Sequence, residues 1–231
     1  MKAKRSWLPN LVTLANLFCG FLAILFAVQG PEFYFRAALM ICLAACFDAL
    51  DGRTARVLGV SGDFGKELDS LADIVSFGVA PAMLVYQHSL YAAHWIGIIA
   101  AGLFVCCGAG RLARYNITTT TCKSRFFTGM PIPMGGMFAT SVALYQGQIN
   151  VALVTIGIIV AALLMISTLR YPVLEQIAFD APIPIRIAFL AVFVLGLSQP
   201  GQWLFLIPVS YMVYGLLSNL VYALRPKAKE A

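Results

Sequence analysis

Residues 48–73 read DALDGRTARVLGVSGDFGKELDSLAD and contain six of the ten acidic residues in this 231-residue chain. Four aspartates in the stretch form two pairs, Asp48 with Asp51 and Asp69 with Asp73. Residues three or four apart lie on the same face of an α-helix, so each pair is predicted to project from one helix face. The connection over residues 57–65 is short. Two antiparallel helices joined by it would bring the four carboxylates together.

The sequence around this stretch is strongly apolar. The chain is 61% hydrophobic and 11% charged, with a mean hydropathy of +0.86, whereas a soluble domain is about 45–50% apolar and about 25% charged. This composition excludes a water-soluble globule and a disordered chain. We predict an all-α polytopic membrane protein with spans at 11–29, 36–56, 66–87, 94–114, 131–147, 150–169, 186–198 and 202–223. The fifth and seventh spans are short, so a total of six or seven stays open.

The basic residues predict the orientation in the membrane. With the N-terminus in the cytoplasm, fifteen of the sixteen Lys and Arg residues lie on the inner side, and only Arg36 lies outside. Cytoplasmic segments of membrane proteins carry an excess of Lys and Arg. The N-terminus, the C-terminus and the acidic stretch are therefore expected at the cytoplasmic face of the cell membrane. The same rule accounts for the net charge of +6 without a nucleic-acid partner.

The four aspartates predict a site for divalent cations. Carboxylates at a membrane edge repel one another and need positive compensation to stay ionised. Oxygen ligands without His or Cys favour Mg²⁺, Mn²⁺ or Ca²⁺, and four carboxylates can hold two such ions. The alternative is a set of interfacial salt bridges to Arg53, Arg56 and Lys66, which is the ordinary interpretation of a single acid but not of four at this spacing.

Small residues beside the aspartates leave room for a phosphate group. Gly52 and Ala55 lie on the helix face of the first pair, and Arg56 follows Gly52 by one turn. The planar guanidinium of Arg56 suits a phosphate oxygen. Two divalent ions and an arginine together suit an in-line displacement at phosphorus.

The full pattern is Asp48-x2-Asp51-Gly52-x2-Ala55-Arg56-x8-Gly65-x3-Asp69-x3-Asp73. It resembles, at every fixed position, the signature of the CDP-alcohol phosphotransferase family. The resemblance implies an all-helical membrane enzyme, generally a homodimer, that moves a phosphatidyl-type group from a CDP-linked lipid to an alcohol and releases CMP. It also implies a six-helix catalytic core, expected here over 11–170. An interfacial segment at 1–10 would precede this core, and a transmembrane hairpin with a basic tail at 171–231 would follow.

The resemblance also implies roles for individual residues. Asp48, Asp51, Asp69 and Asp73 would bind two divalent cations, Mg²⁺ or Mn²⁺, and Asp73 would also be the catalytic base. The CDP-lipid would contact Asn10, Thr13, Gly52, Ala55, Arg56 and Gly65. Asn10 has an equally good alternative as the cap of the first helix.

Three further segments are similar to the phosphatidylserine synthase branch of the family: residues 9–20, 66–81 and 111–116. CDP-diacylglycerol would then be the donor and L-serine the acceptor. The serine carboxylate needs a cation, and Arg111, Arg114, Asn116, Lys123 and Arg125 supply cationic and polar groups on the expected side of the membrane.

Other interpretations of the sequence stay open. Glycerol 3-phosphate, inositol phosphate or another alcohol would use the same chemistry. A divalent-cation transporter is the alternative from another class, but it predicts acidic residues spread through the membrane depth. The last five predicted spans contain none.

Overall fold

The computed structural model describes residues 7–58, 62–119, 126–148, 150–172 and 182–224. The order of elements begins with α1 (Trp7–Gln29), a 3₁₀ turn (Pro31–Phe33), α2 (Tyr34–Leu58), α3 (Asp63–Asp73), a π-helical turn (Ile74–Val79) and α4 (Ala80–His88). A 3₁₀ turn (Leu90–Ala93), α5 (His94–Thr119), β1 (Phe126–Thr128), α6 (Ile132–Leu144) and α7 (Val151–Ile166) follow. The order ends with β2 (Arg170–Pro172), α8 (Ile183–Ser198), the short α9 (Pro200–Trp203) and α10 (Leu206–Leu224).

The predicted all-α polytopic architecture is confirmed. In the described part of the chain, five helical segments are long and apolar enough to cross a bilayer: Pro9–Gln29, Pro31–Thr54, Asp63–His88, Leu90–Thr118 and Pro200–Tyr222. Three shorter apolar helices, Ile132–Leu144, Val151–Ile166 and Ile183–Gly196, coincide with the other predicted spans. The total of eight membrane crossings stays a prediction, since a straight crossing needs about 20 residues.

Helix α1 packs against α2, α3 and α4 and so lies at the centre of the N-terminal half. Its contact with α2 is made by alanines, with Ala23, Ala27, Ala37 and Ala38 at most 1% exposed. Small side chains let two helix backbones approach closely, which is how helices associate in lipid. Large apolar residues such as Phe18 and Phe21 point outward instead and are half or more exposed. This is the pattern expected of a surface covered by lipid.

The π-helical turn follows the fourth aspartate directly and has a local cause. Pro81 has no amide hydrogen, so the carbonyl of Phe77 cannot make the usual helical bond to the residue four positions later. A Cβ added to Gly136 on α6 would lie 2.7 Å from that carbonyl oxygen. Gly136 therefore permits the close approach of α6 to the turn, and π-turns of this kind recur at functional sites.

A two-stranded antiparallel sheet joins the loop after α5 to the loop after α7. Phe127 lies opposite Tyr171, and Phe126 lies opposite Pro172. The sequence analysis does not predict these strands. The proposed boundary between the core and the C-terminal hairpin, at 170/171, falls inside β2.

Candidate active site

The two aspartate pairs meet beside α1, against which both α2 and α3 pack. Helix α2 carries Asp48 and Asp51, and α3 carries Asp69 and Asp73. One carboxylate oxygen from each of Asp48, Asp51 and Asp69 lies within 4.8 Å of the other two. Asp73 is one turn further along α3, and its charge interacts with those of all three. The structure thus brings together the four residues that the spacing singles out.

The geometry of this cluster fits a hard divalent cation. Oxygens around Mg²⁺ lie about 3.0 Å apart when adjacent and about 4.2 Å apart when opposite, because each metal–oxygen bond is about 2.1 Å. The three carboxylate oxygens lie within 4.8 Å of one another, so small side-chain movements would bring them into this range. Among the described residues, the buried Oδ1 atoms of Asp69 and Asp73 have no hydrogen-bond partner. Buried polar atoms are nearly always satisfied, so these two oxygens indicate that a divalent cation or a further hydrogen-bond donor would bind here.

Helix α1 supplies the polar wall opposite the aspartates. The hydroxyl of Thr13 donates to Oδ2 of Asp51 at 2.8 Å, and its oxygen lies 3.1 Å from the carbonyl of Pro9. Asn10 lies inside α1 rather than at its start, so the alternative that it caps this helix is wrong. A Cβ on Gly65 would lie 3.3 Å from Oδ1 of Asn10. Two of the predicted CDP-lipid contacts are therefore neighbours in space.

Arg111 on α5 lines the same cavity as Asp48, Asp69 and Asp73, a space of about 240 Å³. Its side chain is 5% exposed. The guanidinium carbon lies 5.3 Å from the ring centre of Tyr115 and 5.6 Å from that of Phe127, within cation–π range. Its Nε has no hydrogen-bond partner in the described part of the chain. The cavity is therefore lined both by carboxylates and by a guanidinium whose Nε–H can still donate a hydrogen bond.

Arg114 is not among the residues that line this cavity, although the sequence groups it with Arg111 as a predicted contact of serine. Its Nη1 donates to the carbonyl of Ile166 at 2.7 Å. Its Nη2 donates to Thr128 at 2.9 Å and Ser167 at 2.8 Å, with Met165 at 3.4 Å. The last carbonyls of a helix lack partners within the helix. Arg114 satisfies those of α7 and holds β1 beside them.

Asn116 lines the cavity, but its side chain also connects helices. Its Nδ2 donates to the hydroxyl of Ser70 at 2.9 Å and lies 3.5 Å from Oε2 of Glu67. The backbone carbonyl of Asn116 accepts a hydrogen bond from Nζ of Lys66 at 2.8 Å. These bonds fix the end of α5 against α3.

The sequence analysis did not select Lys66 and Ser70 as site residues, although both line the cavity. A signal was present, because 66, 69, 70 and 73 form one helical stripe. Tyr115, Phe127, Pro131 and Pro133 also line the cavity. They come from three separate segments, so no spacing in the sequence connects them.

The structure describes some of the predicted contact residues only in part, and others not at all. Lys123 and Arg125 fall outside the described residues. Ala55 and Arg56 lie in the last turns of α2, where only the helical backbone is described. A Cβ on Gly52 would have no atom within 4 Å, so there is open space beside this glycine.

Comparison with known proteins agrees with this site. Residues 6–163 match the family model of the CDP-alcohol phosphatidyltransferases. The matched region covers more than half of the chain and contains all four aspartates and Arg111. The chain belongs to this family.

Relatives with similar sequences come from bacteria and archaea. A CDP-diacylglycerol–serine O-phosphatidyltransferase of Methanocaldococcus jannaschii is 36% identical over 214 residues, which are 92% of this chain and 94% of the relative. A protein of the same name from Helicobacter pylori is 33% identical over 215 residues, 90% of this chain and 89% of the relative. An archaetidylserine synthase of Methanothermobacter thermautotrophicus is 38% identical over 170 residues, 71% of this chain and 69% of the relative.

Proposed function

We propose that this protein is an integral membrane enzyme that transfers the phosphatidyl group of CDP-diacylglycerol to L-serine, giving phosphatidylserine and CMP. The observation that carries the proposal is the shared cavity of Arg111 and the aspartates, in which a cation-binding end faces a buried guanidinium. The names of the relatives support both substrates, because serine occurs in all three names and CDP-diacylglycerol occurs in two of them.

The donor end of the site is the aspartate cluster. Asp48, Asp51, Asp69 and Asp73 would hold two divalent cations, Mg²⁺ or Mn²⁺, which would neutralise charge on the diphosphate and on the departing CMP. Asn10, Gly52 and Gly65 contact the CDP group, as do Ala55 and Arg56. The adjacency of Asn10 and Gly65 and the open space at Gly52 support this assignment. Thr13 acts on the donor indirectly, because its hydroxyl holds Asp51.

The acceptor end of the site is Arg111. A planar guanidinium binds a carboxylate with two parallel hydrogen bonds. Arg111 and Asp73 line the same cavity, so a serine bound to Arg111 by its carboxylate would have its hydroxyl in the cavity that the aspartates also line. Asn116 lines the same wall. Lys123 and Arg125 remain proposed contacts of serine on the grounds of sequence alone.

Asp73 is proposed as the base of the reaction. The serine oxygen forms a bond to the β-phosphorus of CDP-diacylglycerol, and the phosphorus–oxygen bond to CMP breaks. The hydroxyl proton passes to the carboxylate of Asp73, and CMP leaves as an anion. Asp73 is 8% exposed, which limits access of water to the reacting atoms. A single displacement and a route through a phosphatidyl-enzyme are both compatible with these residues.

The orientation and assembly of the protein are also part of the proposal. The N-terminus, the C-terminus and the active site face the cytoplasm, and the protein acts as a homodimer in the cell membrane. The asymmetric distribution of Lys and Arg supports the orientation. The exposed apolar side chains of α1 and α2 support direct contact with lipid. The domain organisation is proposed as 1–10, 11–170 and 171–231.

The acceptor can be tested by product analysis. Purified protein receives CDP-diacylglycerol, Mn²⁺ and one acceptor at a time: L-serine, glycerol 3-phosphate or inositol phosphate. We expect CMP release and a new phospholipid with serine alone. Turnover with another acceptor instead would keep the phosphotransferase chemistry and overturn the serine assignment. Cation flux through reconstituted vesicles without CMP release from any acceptor would favour a transporter.

A further inference from the structure

Asn16 is a buried polar residue that the assigned site leaves unexplained. It lies on α1 and is 0% exposed. Across the part of the chain that the structure describes, neither Oδ1 nor Nδ2 of its amide has a hydrogen-bond partner. Burial of an amide without partners costs free energy, and native proteins rarely accept it without a bound ligand, water or ion. Asn16 therefore indicates a partner that is present only in another state of the site.

The surroundings of Asn16 place it beside the aspartate cluster. Thr13, which holds Asp51, is one turn earlier on the same face of α1. The hydroxyl of Ser76 donates to the backbone carbonyl of Asn16 at 3.0 Å. Ser76 is in turn one helical turn from Asp73. Helical side chains tilt toward the N-terminus, so the amide of Asn16 leans toward the level of Thr13 and the aspartates.

The unsatisfied atoms on the two sides are chemically complementary. Among the described residues, Oδ1 of Asp73 is buried without a donor and Nδ2 of Asn16 is buried without an acceptor. Carboxylates that ligate a metal are commonly oriented by further hydrogen bonds, which fix the rotation of the carboxylate and the oxygen that it presents.

We propose that Asn16 is a positioning residue of the active site, whose Nδ2 donates to Asp73 when the cations are bound. This inference rests on the proposed function, because it requires Asp73 to be a ligand. The hydrogen bond orients the Asp73 carboxylate from the membrane side of the cluster. One oxygen is then turned toward the cations and the acceptor. Three polar residues of α1 thus have separate roles. Asn10 contacts the CDP group, Thr13 orients Asp51 and Asn16 orients Asp73.

Cation affinity and stability together test this proposal without substrates. The variant Asn16→Leu is compared with wild type by Mn²⁺ titration followed by electron paramagnetic resonance, and its melting temperature is measured in EDTA. We expect Mn²⁺ affinity to fall about 10- to 100-fold, the loss typical when such a partner is removed. We expect the melting temperature in EDTA to stay equal or rise, because an unsatisfied buried amide has been removed. A merely structural asparagine would show the reverse, a lower melting temperature with unchanged affinity.

Two further variants sharpen the test. Thr155→Val removes a buried hydroxyl on α7 that donates to the carbonyl of Val151 in its own helix at 2.8 Å, and it should leave Mn²⁺ affinity unchanged. Asn16→Asp keeps the shape but removes the donor and adds a negative charge beside Asp73, so it should not restore affinity. Tighter Mn²⁺ binding by Asn16→Asp would overturn the donor role. A wild-type protein that binds no Mn²⁺ would overturn the cation site as well as this inference.

Discussion

Arg111 and Arg114 show how far residue spacing carries a prediction. The two arginines are three positions apart at the end of one helix, and from the sequence they are equivalent. The structure separates them, because β1 and the end of α7 lie beside Arg114 and the cavity lies beside Arg111. The surroundings of the two arginines differ because of chain segments more than ten residues away. No local sequence pattern therefore predicts the difference.

Replacement of Arg111 should affect the acceptor more than the donor. Charge-assisted hydrogen bonds contribute about 1.5–3 kcal/mol, and a loss of about 2 kcal/mol corresponds to roughly a 30-fold change. We expect Arg111→Gln to raise the KM for serine about 30-fold while the binding of CDP-diacylglycerol changes little. Steady-state kinetics with each substrate varied in turn measures both. An equal loss of affinity for both substrates would contradict the assignment of Arg111 to serine.

Replacement of Arg114 should affect stability more than substrate binding. Arg114→Leu leaves the carbonyls of Ile166, Thr128 and Ser167 without their donor, at a cost of about 2–3 kcal/mol. We expect a lower melting temperature in detergent, with the KM for serine nearly unchanged in the folded fraction. Arg36→Gln, which removes an exposed arginine stacked on Phe33, is the matched control and should cost less than about 1 kcal/mol.

At the scale of the elements, the helices are predictable and the interruption after Asp73 is not. Apolar runs of the right length mark every long helix, and the paired aspartates mark the faces of α2 and α3 that meet. The π-helical turn needs both Pro81 within a continuous helix and a glycine on a distant helix, so only the fold brings its two causes together.

The contact between this turn and α6 should tolerate no added side chain. In Gly136→Ala, the new Cβ would lie 2.7 Å from the Phe77 oxygen and 3.0 Å from its Cα, so the backbones must separate. We expect a lower melting temperature and reduced CMP release, because the turn supports Asp73. Gly102→Ala on α5 has no atom within 4 Å of the new Cβ. It should be neutral or stabilise the helix by up to about 1 kcal/mol. Equal behaviour of the two variants would contradict this account.

At the scale of the whole molecule, α10 is connected to the active site through a pair of tyrosines. The hydroxyl of Tyr211 on α10 donates to the carbonyl of Pro172 at 2.9 Å. The ring of Tyr211 stacks on that of Tyr171, with 5.5 Å between the ring centres. Burial raises the pKa of Tyr171 to about 12, so this ring stays neutral at physiological pH. Tyr211 also lies near enough to Arg111 for electrostatic interaction. Helix α10 therefore supports the part of the fold that carries Arg111, the proposed acceptor residue.

Variants of Tyr211 should separate packing from hydrogen bonding. Tyr211→Phe loses one hydrogen bond, worth about 1 kcal/mol, and should lower the melting temperature slightly. Tyr211→Ala removes a fully buried ring, at a cost of about 3–5 kcal/mol, and should also raise the KM for serine because Arg111 loses a neighbour. An unchanged serine KM in folded Tyr211→Ala would separate α10 from the acceptor site.

The packing of segments that are distant in the chain could not be predicted from the sequence. The family signature, the apolar spans and the basic residues are local patterns, and they predict the architecture and the aspartate cluster. The β1–β2 pairing joins residues more than forty positions apart and has only three residues per strand, too few for a period-2 pattern. Asn16 shares a helix face with Thr13 in the sequence, but only the structure shows that both polar atoms of its amide are buried without partners among the described residues.

The most direct test of the account is metal-dependent incorporation of isotopically labelled serine into phospholipid by the purified protein, followed by mass spectrometry. A positioned general base contributes about 10²- to 10⁴-fold to a rate. We predict that incorporation requires Mn²⁺ or Mg²⁺, falls by at least about 100-fold in Asp73→Asn, and persists in Asp63→Asn, whose exposed side chain begins α3. Undiminished incorporation in EDTA or in Asp73→Asn would contradict the central claim that the aspartate cluster is the catalytic centre.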